Sequence, residues 1–443
     1  MARPSDRRSA RGVTAPLLRY VHDRSAAMAA IARAPRPARR MRMPKKYPSP
    51  QQRPALLTGL RELKMARSAH AFVRGSTARF YEWLAAADQQ LPQGPPVWIC
   101  GDCHVSNIGP VADADGHVDV QVRDFDQTVV GNPAHDLVRL GLSLAMAARG
   151  SDLPGVVTAK MMEQLIQGYE QALSARPGES RTIRKRPETV QLVMKRAMRR
   201  KWKHLAAERI EGIEPNIPLS KNFWPISGAE RKALKALMST EELRLLVTSL
   251  SHRGDKDEVE MLDAAFWVKG CSSLGLLRYA VLLRVGDSKD PESSLCLIDI
   301  KEAAKAAAPR TNKVAMPRGN AQRIVQGATA LSPNLGSRMR SDSFMGKAVF
   351  LRELLPQDLK LDIDRLSQNE AMDVAGYLGN VVGRAHVRQM DDDARVRWLD
   401  ELKRNRSKSL DAPSWLWRSV VELVREHEGG YLEHCRCFAN VEA

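Results

Sequence analysis

Between residues 53 and 90 apolar positions recur at helical spacing: Leu56, Leu57, Leu60 and Leu63, then Phe72, Phe80, Trp83 and Leu84. That period lays an apolar stripe along one helical face. Pro95 and Pro96 end it, since proline removes a backbone donor and clashes with the preceding turn. Residues 97–100, Val-Trp-Ile-Cys, read as a short buried strand. Val118, Val120 and Val122 alternate with Asp119, Gln121 and Arg123, the period of a strand, and residues 113–116 before them read as a hairpin turn. Helical spacing returns over 136–175, broken at 150–155, and runs on through a basic stretch at 181–213 and two segments within 227–252. Strand patterns follow at 266–268, 276–284 and 295–300, with a polar turn at 286–294. A helix is predicted at 319–331, a strand at 348–354, and helices from 368 onward.

These segments predict an α+β protein. Residues 1–50 are rich in Arg, Pro and Ala without a sustained period, and read as a mobile basic arm with one short helix near 15–33. The expected division is that arm, a helical part at 51–258, a β-rich part at 259–355, and C-terminal helices at 356–443.

Composition narrows the class. A chain of 443 residues with 43% hydrophobic content can bury a real core, as one large two-lobed domain or two to three small ones. No run of eighteen apolar residues occurs, so no membrane span is expected. The Arg-rich N-terminus lacks the apolar region of a secretory signal. Six cysteines are too few here for a disulfide scaffold, and a reducing cytoplasm is the expected setting. The net charge of +18 suits phosphate-rich partners: nucleotides, nucleic acid or anionic lipid. General surface basicity is the plainer explanation.

The chemistry concentrates in Gly101-Asp102-Cys103-His104-Val105-Ser106-Asn107 and Asp124-Phe125-Asp126. Phosphoryl transfer from Mg-ATP needs a residue to orient or deprotonate the acceptor hydroxyl and an amide and a carboxylate to hold the metal. Asp102 fits the first role, Asn107 and Asp124 the others, and Asp126 adds a second carboxylate. A buried turn Asp is the bland reading of Asp102 alone. His104 is expected to orient the loop through a hydrogen bond. Cys100 and Cys103 beside His104 also match half a zinc site, but the only complement is Cys435 and Cys437 with His434, a spacing too short for a standard knuckle. Asp136 opens an apolar helix, either as a cap or as a brace for the Asp102 loop.

A second group lies in the β-rich part. Gly270, Ser272, Ser273 and Gly275 form a turn whose backbone N–H groups can approach phosphates closely; an ordinary hairpin is the alternative. Lys301 ends an apolar strand, where burial without an anion is costly, and phosphate oxygens would satisfy it. Glu302 points to the opposite face, so a partner is expected from 319–331, which offers Gln322 and Gln326. Arg74 is a candidate anion contact or a plain surface Arg. The basic run from Arg181 to Lys203 could grip nucleic acid, but with Trp202 as its one aromatic it fits a solvated face better.

The chain resembles a bacterial family known as domain of unknown function 2252 over most of residues 60–390. The carriers are Arg74-Gly75, the 101–107 and 124–126 motifs, Asp136-Leu137-Val138-Arg139-Leu140, the 270–275 turn, Lys301-Glu302-Ala303, the 350–354 segment and Arg384-Ala385-His386. The motifs are also similar to those of the protein-kinase-like superfamily, in its aminoglycoside and choline kinase branch, where Gly-Asp-x-His-x-x-Asn is followed by Ile-Asp-Phe-Asp/Glu. That resemblance implies Asp102 as base, Asn107 and Asp124 on Mg²⁺, Asp136 as brace and Lys301 on phosphate. It matches residues 350–354, including Glu353 and Leu354, to the hinge that meets adenine.

The order of the motifs differs from that superfamily, in which the catalytic loop comes last; here it comes first. Joining the chain's end to its beginning restores the usual order. The resemblance therefore implies a circularly permuted, bilobal kinase-like fold with a helix-rich large lobe and a small antiparallel β-sheet lobe. The implied function is ATP- and Mg²⁺-dependent transfer of phosphate to a small-molecule hydroxyl. A nucleotide-binding pseudokinase, an AMP-transferring enzyme and a basic nucleic-acid-binding protein are the alternatives. Two departures stand out: Ser272 replaces the middle Gly of the loop, and 319–331 carries no Glu.

Overall fold

The computed structural model describes residues 47–175, 186–200, 216–249, 253–254, 256–271, 273–286, 294–311, 314–359, 361, 366–405 and 414–438. The basic arm up to residue 46, positions 181–185 and 201–213 of the basic stretch, and Ser272 lie outside the described residues.

The first helical stretch is three helices, α1 (Arg53–Ala66), α2 (Ala69–Gly75) and α3 (Thr77–Ala87). Ser68 breaks the run: its extended backbone and Oγ, which accepts the Ala71 N–H at 3.1 Å, cap α2. Two nested hairpins follow. Strands β2 (Ile108–Ala112) and β3 (Val118–Val122) pair antiparallel inside β1 (Val97–Ile99) and β4 (Val129–Gly131). The nesting sets the loop after β1 beside the loop after β3, and the Arg123 N–H donates to the Asn107 carbonyl at 2.8 Å between them.

Helices α4 (Ala134–Gly150), α5 (Gly155–Ser174) and α6 (Glu188–Arg199) come next, then β5 (Phe223–Trp224), α7 (Gly228–Met238) and α8 (Glu241–Val247). Strands β6 (Val259–Trp267), β7 (Arg278–Val285) and β8 (Leu295–Glu302) lead to helices α9 (Asn320–Leu331) and α10 (Pro333–Gly336). Strands β9 (Met339–Phe344) and β10 (Lys347–Glu353) follow, then helices α11 (Gln368–Val387), α12 (Asp392–Arg404) and α13 (Ser414–Phe438). The six strands β5-β6-β7-β8-β10-β9, in that spatial order, form an antiparallel sheet. The fold is therefore mixed α+β, a helix-rich part with small antiparallel sheets.

The helix-rich part packs around Leu137, Leu140, Met162, Leu165, Tyr377 and Leu416, all buried. Helices α5 and α11 approach so closely that a Cβ at Gly379 would lie 2.0 Å from the Leu165 carbonyl oxygen. Gly379→Ala must push the helices apart, and a loss of about 1–3 kcal/mol is expected in urea unfolding; an unchanged midpoint would show that the helices slide freely.

The sheet carries its own core. Leu234, Leu237, Leu246 and Val247 of α7 and α8 pack with Phe266, Val281 and Leu283 of the sheet. The apolar faces of these short helices cover the sheet, and Leu57 of α1 joins the same core. Ile324, Ala328, Met339 and Phe350 join the helical core, which ties the sheet to it. Among the described residues no helix is long and apolar enough to cross a membrane.

Candidate functional site

Asp136, in the first turn of α4, makes no capping bond to its own helix. Its carboxylate reaches back to the turn after β1, accepting N–H bonds from Cys100 at 2.7 Å and Gly101 at 2.9 Å. His386 of α11 lies 3.2 Å from the same carboxylate. The Tyr81 hydroxyl donates to the Gly101 carbonyl at 2.5 Å and Thr128 Oγ1 to the Ile99 carbonyl at 2.6 Å. Gly101 has φ +75°, and a Cβ there would fall 2.1 Å from the Gln127 carbonyl oxygen, so only glycine fits this turn. The next residue, Asp102, is thereby held in one place.

Asp102 is buried. Its two oxygens accept from Arg139 Nε at 2.8 Å and Thr77 Oγ1 at 3.1 Å. Burial pushes its carboxyl above the usual carboxylate range, with Arg139 pulling the other way. Asn107 Nδ2 donates to the Asp102 carbonyl at 3.0 Å, which leaves Oδ1 to meet a ligand. His104 is 3% exposed and its Nδ1 has no hydrogen-bond partner among the described residues; the orienting bond expected of it is not made by that nitrogen. Burial, then the positive charges of Arg74 and Arg139, hold its imidazole well below the usual histidine pKa, so it is neutral near pH 7.

Across the cleft stands one face of the sheet. Residues alternate along β8, so Asp299 and Lys301 share that face. Lys301 is bonded through Nζ to Asp126 and lies 3.9 Å from Asp124. Burial raises the Asp124 carboxyl, but Lys301 and Arg352 outweigh it and hold the group below the ordinary carboxylate range. Asp126 Oδ1 is buried with no partner among the described residues. The Asn107 amide oxygen and the carboxylates of Asp124 and Asp126 are hard oxygen donors of the type that suits Mg²⁺, and the unpartnered oxygen of Asp126 is consistent with such an ion.

Asp299 is fully buried between two guanidiniums, taking Arg278 at 2.8 and 2.5 Å and Arg352 at 3.1 and 2.9 Å. The cleft between these surfaces holds a cavity of about 110 Å³, room for a phosphate group or a few waters. Besides Asp102, Asn107, Asp124 and Lys301 it is lined by Gly270, Ser273, Arg74 and His104, with Arg278 and Arg352 at the sheet.

The structure thus brings Asp102, Asn107, Asp124, Asp126, Gly270, Ser273 and Lys301 to one place. Three other expectations need correction. Glu353 and Leu354 do not line the cleft: the Leu354 N–H donates to the Leu297 carbonyl at 2.9 Å, Arg338 caps the Glu353 carbonyl at 2.8 Å, and the Glu353 carboxylate pairs with Arg253 at 2.9 Å. With those groups occupied, the Glu353 carbonyl and the Leu354 N–H are not free to meet a base. Gly275 has φ +106° and a Cβ there would face Thr58, so it shapes the turn without lining the cleft. Helix α9 supplies Lys301 no partner. Its buried Arg323 instead bonds the carbonyls of Asp126, Thr128 and Ala304, and the carboxylates for Lys301 come from the loop after β3.

The zinc alternative finds no geometry: among the described residues Cys100 and Cys103 do not gather with Cys435, Cys437 or His434 into a ligand set. Arg139, Thr77, Asp299 and Arg352 escaped the sequence reading. A charged residue inside an apolar run, as Arg139 and Asp299 are, was the available signal.

A family model described as an uncharacterized protein conserved in bacteria, DUF2252, matches residues 53–437. No curated protein and no solved structure matches the chain. With most of its length matched, the chain belongs to the bacterial DUF2252 family.

Proposed function

We propose that the protein is an ATP- and Mg²⁺-dependent phosphotransferase acting on a hydroxyl of a small molecule, built as a circularly permuted relative of the kinase-like fold. One observation carries the reading. Lys301 of the sheet and the Asp124/Asp126 pair, 175 residues apart for the bonded pair, meet in the cleft that also holds Asp102 and Asn107. Kinase-like phosphoryl transfer needs this grouping: a strand Lys for phosphate, an amide and carboxylate for metal, and an Asp for the acceptor hydroxyl. The segment order supports the permuted topology. A Gly-containing turn joins β6 to β7, the Lys lies on the next strand, and helix α9 intervenes before the last hairpin.

In this reading Mg²⁺, when bound, neutralises charge on the transferring phosphate. Asn107, Asp124 and Asp126 would hold it, and Lys301 would exchange its bond to Asp126 for phosphate oxygens. Asp102, fixed by Arg139 and Thr77, orients the acceptor hydroxyl and takes its proton; burial raises its basicity. Gly270, which lines the cleft, is tied to α1 by Lys64 Nζ on its carbonyl at 2.6 Å.

Thermal melting with Mg-ATP tests the donor half of this reading. Ligand at a hundredfold excess over Kd adds about 2.7 kcal/mol of stability, so the wild-type melting temperature should rise, and Asp124→Ala should lose that rise. No shift with millimolar Mg-ATP in the wild type would remove the nucleotide from the proposal.

A further inference from the structure

The cations of the cleft are not equivalent. Arg278 and Arg352 are committed to Asp299. Arg123 is spent on the carbonyls of Asp358 and Leu359. Lys301 belongs to Asp126 and the phosphate end. Arg74 differs: its Nε is buried without a partner among the described residues, and it lines the same cleft.

Its backbone is tied to the Asp102 segment. The preceding residue, Val73, gives its carbonyl to Arg139 Nη2 at 2.6 Å, and Arg139 in turn holds Asp102. Three residues on, Thr77 donates to Asp102 directly. The backbone of Arg74 is therefore anchored beside Asp102, where an acceptor hydroxyl would sit; its side chain lines the cleft within electrostatic reach of Lys64 and Cys271, and His104 lines the same cleft with its Nδ1 unpartnered among the described residues.

We propose that Arg74 and His104 form an anion subsite for the acceptor, so that the substrate carries a carboxylate or phosphate close to the hydroxyl that is modified. This rests on the phosphotransferase reading for what happens at the hydroxyl, but not for the binding of the anion. A guanidinium binds either group through paired, charge-assisted hydrogen bonds, and the imidazole adds one N–H in the tautomer protonated on Nδ1. An Arg with no ion pair among the described residues disfavours a cationic acceptor of the choline or aminoglycoside type, because like charges at close range repel.

The test is melting of the full chain with saturating Mg-ADP, followed by titration with glycerate, glycerol 3-phosphate, glycerol and choline. These probes share hydroxyl groups and differ in charge. Glycerate, glycerol 3-phosphate or both should add a further shift, and glycerol and choline none; which of the two acids acts separates carboxylate from phosphate. Arg74→Ala should weaken that added shift by about tenfold in apparent affinity, the loss of one charge-assisted contact, and Arg74→Lys should restore part of it. The shift from Mg-ATP alone should stay at its wild-type value in both variants.

Several results overturn the subsite: equal protection of wild type and Arg74→Ala by the acids, stronger protection by choline, or no protection by either acid at millimolar concentration. Loss of the Mg-ATP shift in Arg74→Ala would assign Arg74 to the donor instead. If the wild type shows acid protection that needs Arg74 but no Mg-ATP shift, the anion subsite stands and the nucleotide reading falls.

Discussion

Asp102→Asn is expected to lower turnover by about 10²- to 10⁴-fold, the usual contribution of a general base, while the Mg-ATP melting shift persists. The substitution is nearly isosteric. Its amide oxygen can still accept from Arg139 Nε, and Thr77 Oγ1 can turn from donor to acceptor, so the loop that Asp136 braces keeps its shape. What disappears is the proton acceptor. Steady-state assay of ADP release with a confirmed acceptor, beside melting with Mg-ATP, separates the two effects. Undiminished turnover would remove Asp102 from the chemistry, and loss of the nucleotide shift would make it a binding residue. Burial pushes the Asp102 carboxyl up, and the ionised form is the active one. The acid limb of the wild-type kcat/KM profile should therefore lie above the ordinary Asp value of about 3.9.

Asp299→Ala should cost about 3–5 kcal/mol of folding stability, the usual penalty for stripping one partner from a buried charge cluster. Arg278 and Arg352 both depend on this fully buried carboxylate, and Ala leaves two guanidiniums facing each other in the sheet. Urea unfolding measures the loss; a change under about 1 kcal/mol would mean that solvent reaches these side chains. The pH dependence follows from sign. Burial raises the Asp299 carboxyl, but the two Arg neighbours outweigh it, and its folded-state pKa lies below the ordinary range. Its contribution is then complete above the unfolded-state pKa of about 3.9 and is lost as pH falls below it through the folded value. The gap between wild type and Asp299→Ala should stay constant from about pH 5 to 8 and close only in stronger acid.

The cleft explains why some site residues were legible and others were not. Asp102, Asn107, Asp124 and Asp126 sit on loops at strand ends in a fixed local spacing, and local spacing survives folding. Gly101, Gly270 and Gly275 have positive φ, a backbone need that shows in sequence as glycine. The 348–354 strand pattern predicts β10 within one residue at each end. Strand β9 escaped notice because Met339–Phe344 is polar between its ends, as an edge strand can be. Strand β2 carries Gly109 and Pro110, which mask strand propensity.

Sequence by itself determined that this chain has helical and strand regions, that the Asp-Asn-Asp motif lies on loops, and that Lys301 would need an anion once buried. Periodicity and the cost of burying charge are local properties, so one chain read alone reveals them. Only the tertiary structure decided which anion that is. Asp126 reaches Lys301 because two nested hairpins carry its loop to the sheet, and α9 supports that loop with Arg323, where Gln322 or Gln326 was expected to meet Lys301 directly. It also decided that Glu353 and Leu354 are spent on other partners, and that Arg74 lines the cleft that holds Asp102. Such pairings depend on where distant segments pack, and the spacing of residues along a strand or helix carries no record of it.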